Sequence, residues 1–131
     1  MEEPTWLERA IVEALHTDQI LEHGGNLGTR HEGLLESALA RPKQKWHDST
    51  GTDLAKLAAA YAHGLARNHP FIDGNKRTAL VALYTFLAIN GFELDAPEPD
   101  AVTVMIGTAD GSLSEDDLAL WIDAHLSPWV D

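Results

Sequence analysis

The sequence predicts an all-α fold, and two kinds of observation lead to this prediction. Apolar residues recur at intervals of three and four along most of the chain, which is the pattern of helices that bury one face. Between these stretches stand glycines, prolines and short polar residues that start or end helices. The length of 131 residues suits a single domain around one hydrophobic core.

The first half of the chain is predicted to form three helices. The first covers residues 11–23 and ends at a glycine pair, because glycine accepts the backbone angles that terminate a helix. The second follows the apolar positions 34–39 and should stop at Pro42, which lacks the donor that continues a helix. This leaves residues 43–51 as a polar surface loop, after which Asp53 can cap the third helix.

The second half is predicted to add three more helices and one short extended piece. The helix over residues 75–90 is apolar on nearly every side, so we expect it to be the central buried helix. Residues 92–94 form the extended piece, and residues 100–108 form the next helix. Ser114 has the chemistry of an N-cap, and the last helix should run from it through Leu126.

The charge is large and unevenly distributed. There are 21 acidic and nine basic residues, giving a net charge of −12. All nine basic residues lie at or before Arg77, whereas residues 78–131 hold ten Asp and Glu. Nucleic-acid binding is not expected, because it needs cations spread over a face. Any phosphate must be met locally by Arg67, Lys76 and Arg77, and the acidic third is either a solvated surface or a docking face for a basic partner.

Other features concern the compartment. The chain has no cysteine, which excludes disulfides and thiol catalysis. The acidic N-terminus does not resemble a secretory signal, and the longest apolar stretch, residues 78–89, is too short to span a bilayer. We therefore expect a cytoplasmic protein that is not associated with a membrane.

Residues 69–77, which connect the third and fourth predicted helices, hold the groups that a phosphate-transferring site needs. His69 titrates near neutral pH and can accept a hydroxyl proton. Asp73 offers the hard oxygen ligand that Mg²⁺ prefers beside phosphates. The free N–H groups of a helix start attract anions, and here they are joined by a permissive glycine and two cations. The residues of this expected phosphate cradle are Gly74, Asn75, Lys76 and Arg77.

Each of these residues alone has an ordinary structural explanation, since Asp-Gly-Asn is common in turns and histidine before proline is common in loops. Their combination at the start of a helix indicates phosphoryl or nucleotidyl transfer, which depends mostly on positioning and charge stabilisation. The other histidines show no spacing typical of metal ligands, so a zinc site is not expected.

The pattern His-x-Phe-x-Asp-Gly-Asn-x-Arg over residues 69–77 resembles the signature of the Fic/Doc (Fido) superfamily. Lysine at position 76 is similar to its death-on-curing (Doc) branch, and residues 22–25, 33–42 and 68–79 also resemble Doc-type blocks. The resemblance implies a single all-α domain over residues 1–131, with the motif between two central helices. It also implies a toxin that modifies a protein hydroxyl with a nucleotide.

The resemblance assigns a role to each matching residue. His69 would be the base, Asp73 the ligand of Mg²⁺, and Phe71 the anchor of the loop. The phosphates of ATP, or of another nucleoside triphosphate, would be held by Gly74, Asn75, Lys76 and Arg77.

Two departures separate the subfamilies. Fic adenylyltransferases have a second arginine where this chain has Leu80, and they have glycine where it has Lys76. Doc-type proteins with this lysine are similar to kinases that transfer the γ-phosphate, with elongation factor Tu as the substrate class. A kinase is therefore favoured. Gly74, which is Fic-like where Doc often has alanine, leaves an adenylyltransferase open, and a non-catalytic binding module is the third alternative.

Two further features bear on regulation and target binding. Self-inhibited Fic proteins carry Ser/Thr-x-x-x-Glu-Gly/Asn, but the one Glu followed by Gly or Asn here is Glu32, with Gly28 four residues before it. We therefore expect inhibition in trans by an antitoxin. Arg30 and Arg41 bracket the second helix, in a region that the resemblance places beside the site and the target peptide, and ordinary surface cations are the alternative.

Overall fold

The computed structural model describes residues 1–130, and within them it contains six helices and one small antiparallel sheet. The elements in chain order are α1 (Arg9–His23), α2 (Glu32–Asp48), α3 (Leu54–Asn68), α4 (Asn75–Ile89), β1 (Phe92–Leu94), α5 (Glu98–Asp110), α6 (Glu115–Ala124) and β2 (Leu126–Pro128). The all-α prediction is confirmed. Within residues 1–130, no helix has the length and apolar character needed to cross a membrane.

The central helix is α3 rather than α4, so this part of the prediction was wrong. Eleven of the 15 residues of α3 are buried, against seven of 15 in α4. The cause is the six alanines of α3, whose small side chains let α2, α4, α5 and α6 all pack against it. At Gly64, a Cβ atom would lie 3.2 Å from both the Cα and the Cβ of Ala38, so α2 lies directly against α3.

Helix α2 continues through Pro42, where the sequence predicted its end. The predicted loop over residues 43–51 is helical as far as Asp48. Proline removes one hydrogen bond from the helix interior, and tertiary packing can offset this cost. Here Pro42 is buried and Trp46, one turn later, packs against the core. Trp46 thus anchors the segment that follows Pro42 to the core.

The C-terminal elements also depart from the predicted pattern in one place. Ser114 caps α6 as expected, because its Oγ accepts a hydrogen bond of 3.1 Å from the N–H of Asp117. The helix ends at Ala124, however, and does not reach Leu126. Instead, β2 pairs with β1, which confirms the predicted extended piece and places Leu94 opposite Leu126. This pairing is long-range in sequence and was therefore not visible in local periodicity.

An ion cluster around Glu115 joins α2, α3 and α6. The carboxylate of Glu115 accepts a hydrogen bond of 2.7 Å from Lys45 Nζ and a second one from Arg41, and it lies 3.4 Å from His63 Nδ1. Burial opposes the charge of Glu115, but the hydrogen bonds from Lys45 and Arg41 lower its pKa below the ordinary value. Arg41 is thereby engaged at this cluster.

The N-terminal segment is held to α3 by Tyr61. This side chain is fully buried, and its hydroxyl accepts a hydrogen bond of 2.9 Å from the N–H of Leu7. Burial raises the pKa of Tyr61 to about 12. The neutral phenol is thus the form that the folded protein favours.

We predict that Tyr61→Phe lowers the free energy of unfolding by about 1–3 kcal/mol, because the buried N–H of Leu7 loses its acceptor. The contribution of the phenol is fully present below pH 10.0 and is lost as the pH rises toward about 12, so Tyr61→Phe should also flatten the alkaline decline in stability. Urea unfolding across this pH range measures both effects. Tyr84→Phe, at a half-buried tyrosine, is the matched control, and equal losses in the two variants would contradict the assignment.

Candidate active site

The connection between α3 and α4 starts and ends with residues in left-handed backbone conformations. His69 follows the last residue of α3 with φ 48° and ψ 54°, and it is the one non-glycine residue of the described chain with positive φ. Gly74 precedes α4 with φ 76°. Helix α4 begins at Asn75, as the sequence predicted. The chain thus leaves one helix and enters the next within the motif.

The middle of the motif is fixed by Phe71 and Asn75. Phe71 is 2% exposed, which confirms it as the anchor of the loop. The side-chain amide of Asn75 accepts from the N–H of Phe71 at 2.9 Å and donates to its carbonyl oxygen at 3.0 Å. Both polar atoms of this side chain therefore bond inside the loop, which fixes the orientation of the amide, and its backbone N–H lies at the helix start.

His16 supports the motif from beneath. Its imidazole is 3% exposed and stacks on the Phe71 ring, with centroids 3.8 Å apart and planes inclined by 8°. Its Nε2 lies 2.8 Å from the carbonyl oxygen of Asp73, and because a carbonyl only accepts, Nε2 must carry the proton. This role of His16 was not predicted from the sequence. The available signal was the position of His16 on the buried stripe of α1, between Val12 and Ile20.

The loop between α1 and α2, residues 24–31, pairs with the motif along its backbone. Ile72 donates its N–H to the Gly28 carbonyl at 3.1 Å, and Arg30 donates its N–H to the Pro70 carbonyl at 2.7 Å. This loop therefore lies beside the motif and is attached to it by main-chain hydrogen bonds, which the pattern of side chains in the sequence does not predict.

Asp73 is held by this loop through one of its two carboxylate oxygens. Its Oδ2 accepts a hydrogen bond of 2.7 Å from the N–H of Asn26, while Oδ1 has no hydrogen-bond partner in residues 1–130. Gly25 permits this approach, since its φ is 118° and a Cβ there would lie 3.2 Å from the Asp73 Cβ. No cluster of three or more His, Asp and Glu in residues 1–130 could hold a metal. A single carboxylate oxygen is the kind of hard ligand that Mg²⁺ takes in proteins together with phosphates and water.

Of the three cations expected near the motif, two line it. Lys76 and Arg77 are exposed in the first turn of α4, and Arg77 Nη2 donates to the Gly24 carbonyl at 3.2 Å. Arg67 instead donates from Nη1 to the Ala109 carbonyl at 3.1 Å, near the C-terminus of α5. The positive charge at the start of α4 therefore comes from Lys76, Arg77 and the helix dipole.

Two adjoining pockets share these cations. The first has a volume of about 260 Å³ and is lined by residues 74–77. The second has a volume of about 140 Å³, and its walls are largely apolar. Its lining residues are Lys76, Arg77, Leu80, Val102, Met105 and Ile106. A polar, cationic compartment beside an apolar one is suited to a ligand with a phosphate part and a flat apolar part.

Comparison with known proteins agrees with this geometry. The Fic/DOC family model matches residues 6–87, more than half of the chain, and the chain belongs to this family. It is 49% identical over 77 residues to "Toxin Doc" of Mycolicibacterium smegmatis, a match that covers 56% of this chain and 57% of that protein. It is also 37% identical over 107 residues to "Protein kinase doc" of Escherichia phage P1, covering 81% of this chain and 83% of that protein. The resemblance inferred from the motif, including its Doc side, is confirmed.

We predict that His16→Phe loosens the motif, because the phenyl ring keeps the stacking on Phe71 but leaves the Asp73 carbonyl without its donor. The expected cost is about 1–3 kcal/mol of unfolding free energy, with faster amide hydrogen exchange across residues 71–77.

His125→Phe is the matched control. The His125 ring also bonds a backbone carbonyl, that of Trp121, but in α6 and outside the motif. It should cost stability without changing exchange in residues 71–77. Unchanged exchange there in His16→Phe would show that His16 does not hold the motif.

Proposed function

We propose that this protein is a Doc-like kinase toxin. It transfers the γ-phosphate of ATP, or of another nucleoside triphosphate, to a Ser or Thr hydroxyl of a protein of the elongation factor Tu class. The observation that carries the proposal is Lys76, exposed in the first turn of α4 and lining the pocket with Gly74 and Arg77. The name of the phage relative, which matches 81% of this chain, supports it.

The triphosphate would lie against residues 74–77. The backbone N–H groups of the α4 start belong to residues that line this pocket, and they carry the positive end of the helix dipole. Lys76 adds a compact charge, and Arg77 adds a planar group that can bond two phosphate oxygens. Such fixed charges stabilise the negative charge that develops during phosphoryl transfer. The apolar pocket next to Lys76 and Arg77 could receive the flat base or another apolar part of the nucleotide.

Asp73 and His69 complete the site. The free Oδ1 of Asp73 would hold Mg²⁺, which neutralises phosphate charge when bound. His69 has an exposed side chain at the start of the motif and would accept the proton of the target hydroxyl. The hydroxyl oxygen then bonds to the γ-phosphorus, the bond to the bridging oxygen breaks, and the nucleoside diphosphate leaves.

An adenylyltransferase is the second candidate, and Gly74 is the residue that favours it. Gly74 has φ 76°, and a Cβ atom there would lie 3.0 Å from the Ile20 Cδ1 atom. Backbone angle and packing therefore account for this glycine, whichever phosphorus is attacked. Leu80, in the place of the second arginine, is buried and borders the apolar pocket. A kinase is consequently better supported than an adenylyltransferase.

A binding module without turnover is the candidate from another class. The acidic stretch over residues 78–131 is the feature that favours it, since it offers a surface complementary to a basic protein. His69, Asp73 and Arg77 argue against it, because binding alone would not require a base, an oxygen ligand and a phosphate-binding cation in one loop.

Restraint of the toxin is proposed to come from a separate antitoxin protein in the cytoplasm. One relative is named a toxin, and a toxin requires control. The sequence carries no self-inhibitory Ser/Thr-x-x-x-Glu-Gly/Asn element.

We predict that incubation with elongation factor Tu transfers label from γ-labelled but not from α-labelled ATP, and that intact mass shows an added phosphate rather than AMP. His69→Ala should lower the rate by about 10²- to 10⁴-fold through loss of the base. Lys76→Ala should weaken nucleotide binding. The control is Lys56→Ala, at an exposed lysine in the first turn of α3, which should change neither the transfer rate nor the nucleotide affinity. Transfer of label from α-labelled ATP alone would contradict the kinase proposal.

We further predict that the chain expressed alone arrests growth and that His69→Ala abolishes the arrest. Growth curves of matched expression strains measure this, with equal protein levels checked by blotting. Arrest that persists in His69→Ala would favour the binding module. No arrest together with no modified protein would contradict the toxin assignment.

A further inference from the structure

One residue, Arg30, binds three consecutive carbonyl groups at the start of the motif. Its Nε donates to the His69 carbonyl at 2.8 Å, and its Nη2 donates to the Asn68 carbonyl at 3.1 Å. Its backbone N–H donates to the Pro70 carbonyl at 2.7 Å. The main chain of residues 68–70 is therefore attached to the 24–31 loop through Arg30.

These carbonyls need a partner because of where they lie. The last carbonyls of a helix have no donor within the helix, and they carry its negative dipole end. A glycine usually follows a helix in the left-handed conformation, because a side chain makes this conformation costly. In this chain that position is His69, with φ 48°. The proposed chemistry needs a histidine there, so surrounding contacts must hold the conformation.

The guanidinium of Arg30 is oriented toward the motif rather than toward a carboxylate. Arg9 and Arg41 form ion pairs with glutamates, whereas Arg30 has no ion-pair partner in residues 1–130. Its planar group presents donors in a fixed geometry that can bond two carbonyls at once, which the single ammonium of a lysine reproduces poorly.

We propose that Arg30 is a positioning residue for His69. Its guanidinium holds the carbonyls of Asn68 and His69 and so keeps the His69 backbone in the left-handed conformation, on which the direction of the imidazole depends. This inference rests on the proposed function for the role of His69 as the base, but the conformational part stands without it. It is an alternative to both sequence-based interpretations of Arg30, as a target-binding cation and as an ordinary surface cation, and the test below distinguishes the three.

The test compares Arg30→Gln and Arg30→Lys with Arg9→Gln. Arg9 is a suitable control because it also joins a neighbouring element, α2, through Glu32 and Glu36, but makes no hydrogen bond to the motif. The one-bond Cα–Hα coupling of His69, measured by NMR without nucleotide, reports whether its φ is positive. Nucleotide affinity, kcat and the KM for the protein target are measured on the same variants.

Both Arg30 variants should shift the His69 coupling toward the value for negative φ and lower kcat by about 10²-fold, since small misplacement of a reacting group has effects of this size. Nucleotide affinity should stay unchanged, because residues 74–77 are not touched. Arg9→Gln should alter stability alone. Arg30→Lys retains the positive charge. The proposal can therefore still be tested with this variant if Arg30→Gln fails to fold.

Three results would overturn the proposal. An unchanged His69 coupling in both Arg30 variants would make Arg30 a surface cation. A raised KM for the target with normal kcat and coupling would make it a target-binding residue. A changed coupling with an unchanged kcat would show that catalysis does not depend on the backbone conformation of His69. If the wild-type protein transfers no phosphate, the kinase proposal fails, while the coupling still decides whether Arg30 sets the conformation of His69.

Discussion

The paired hydrogen bonds between the Asn75 side chain and the Phe71 backbone are the constraint on which the rest of the site depends. They close the motif into a ring of five residues, so the start of α4 cannot move independently of the buried Phe71. The start of α4 is therefore fixed in position relative to the hydrophobic core. Fixed dipoles and charges act on a reacting group only if they are held in advance, and here packing supplies that restraint.

The motif is supported from two sides by groups of different chemistry. Beneath it, His16 adds an aromatic surface and one donor, both from a regular helix. Beside it, the 24–31 loop adds backbone donors that reach the carboxylate of Asp73 and the carbonyl of Pro70. The three residues expected to meet the ligand through side chains, His69, Lys76 and Arg77, are all exposed. The residues that hold the motif in place are thus different from the exposed residues that are expected to meet the ligand.

The sequence predicted the helices well wherever a local signal decided them, as at the caps Asp53 and Ser114. It failed where a distant contact decided the outcome. Helix α2 passes Pro42 because the residues beyond it pack on the core, and Leu126 leaves the last helix because β1 offers a partner. In the site, residue types and spacing identified the motif. The supporting roles of His16 and Arg30 depend on three-dimensional proximity across 57 and 39 positions, which one sequence does not display.

The confinement of all nine basic residues to the part of the chain up to Arg77 has a consequence for how an anion reaches the protein. At long range a molecule of net charge −12 repels a nucleotide, whereas within a few ångströms Lys76 and the α4 start attract it. Dissolved salt screens the distant repulsion over about 8–10 Å and affects the close contacts less. Encounter with any such anion should consequently be quicker at cellular ionic strength than in dilute buffer, the reverse of the behaviour of proteins that steer anions with a basic surface.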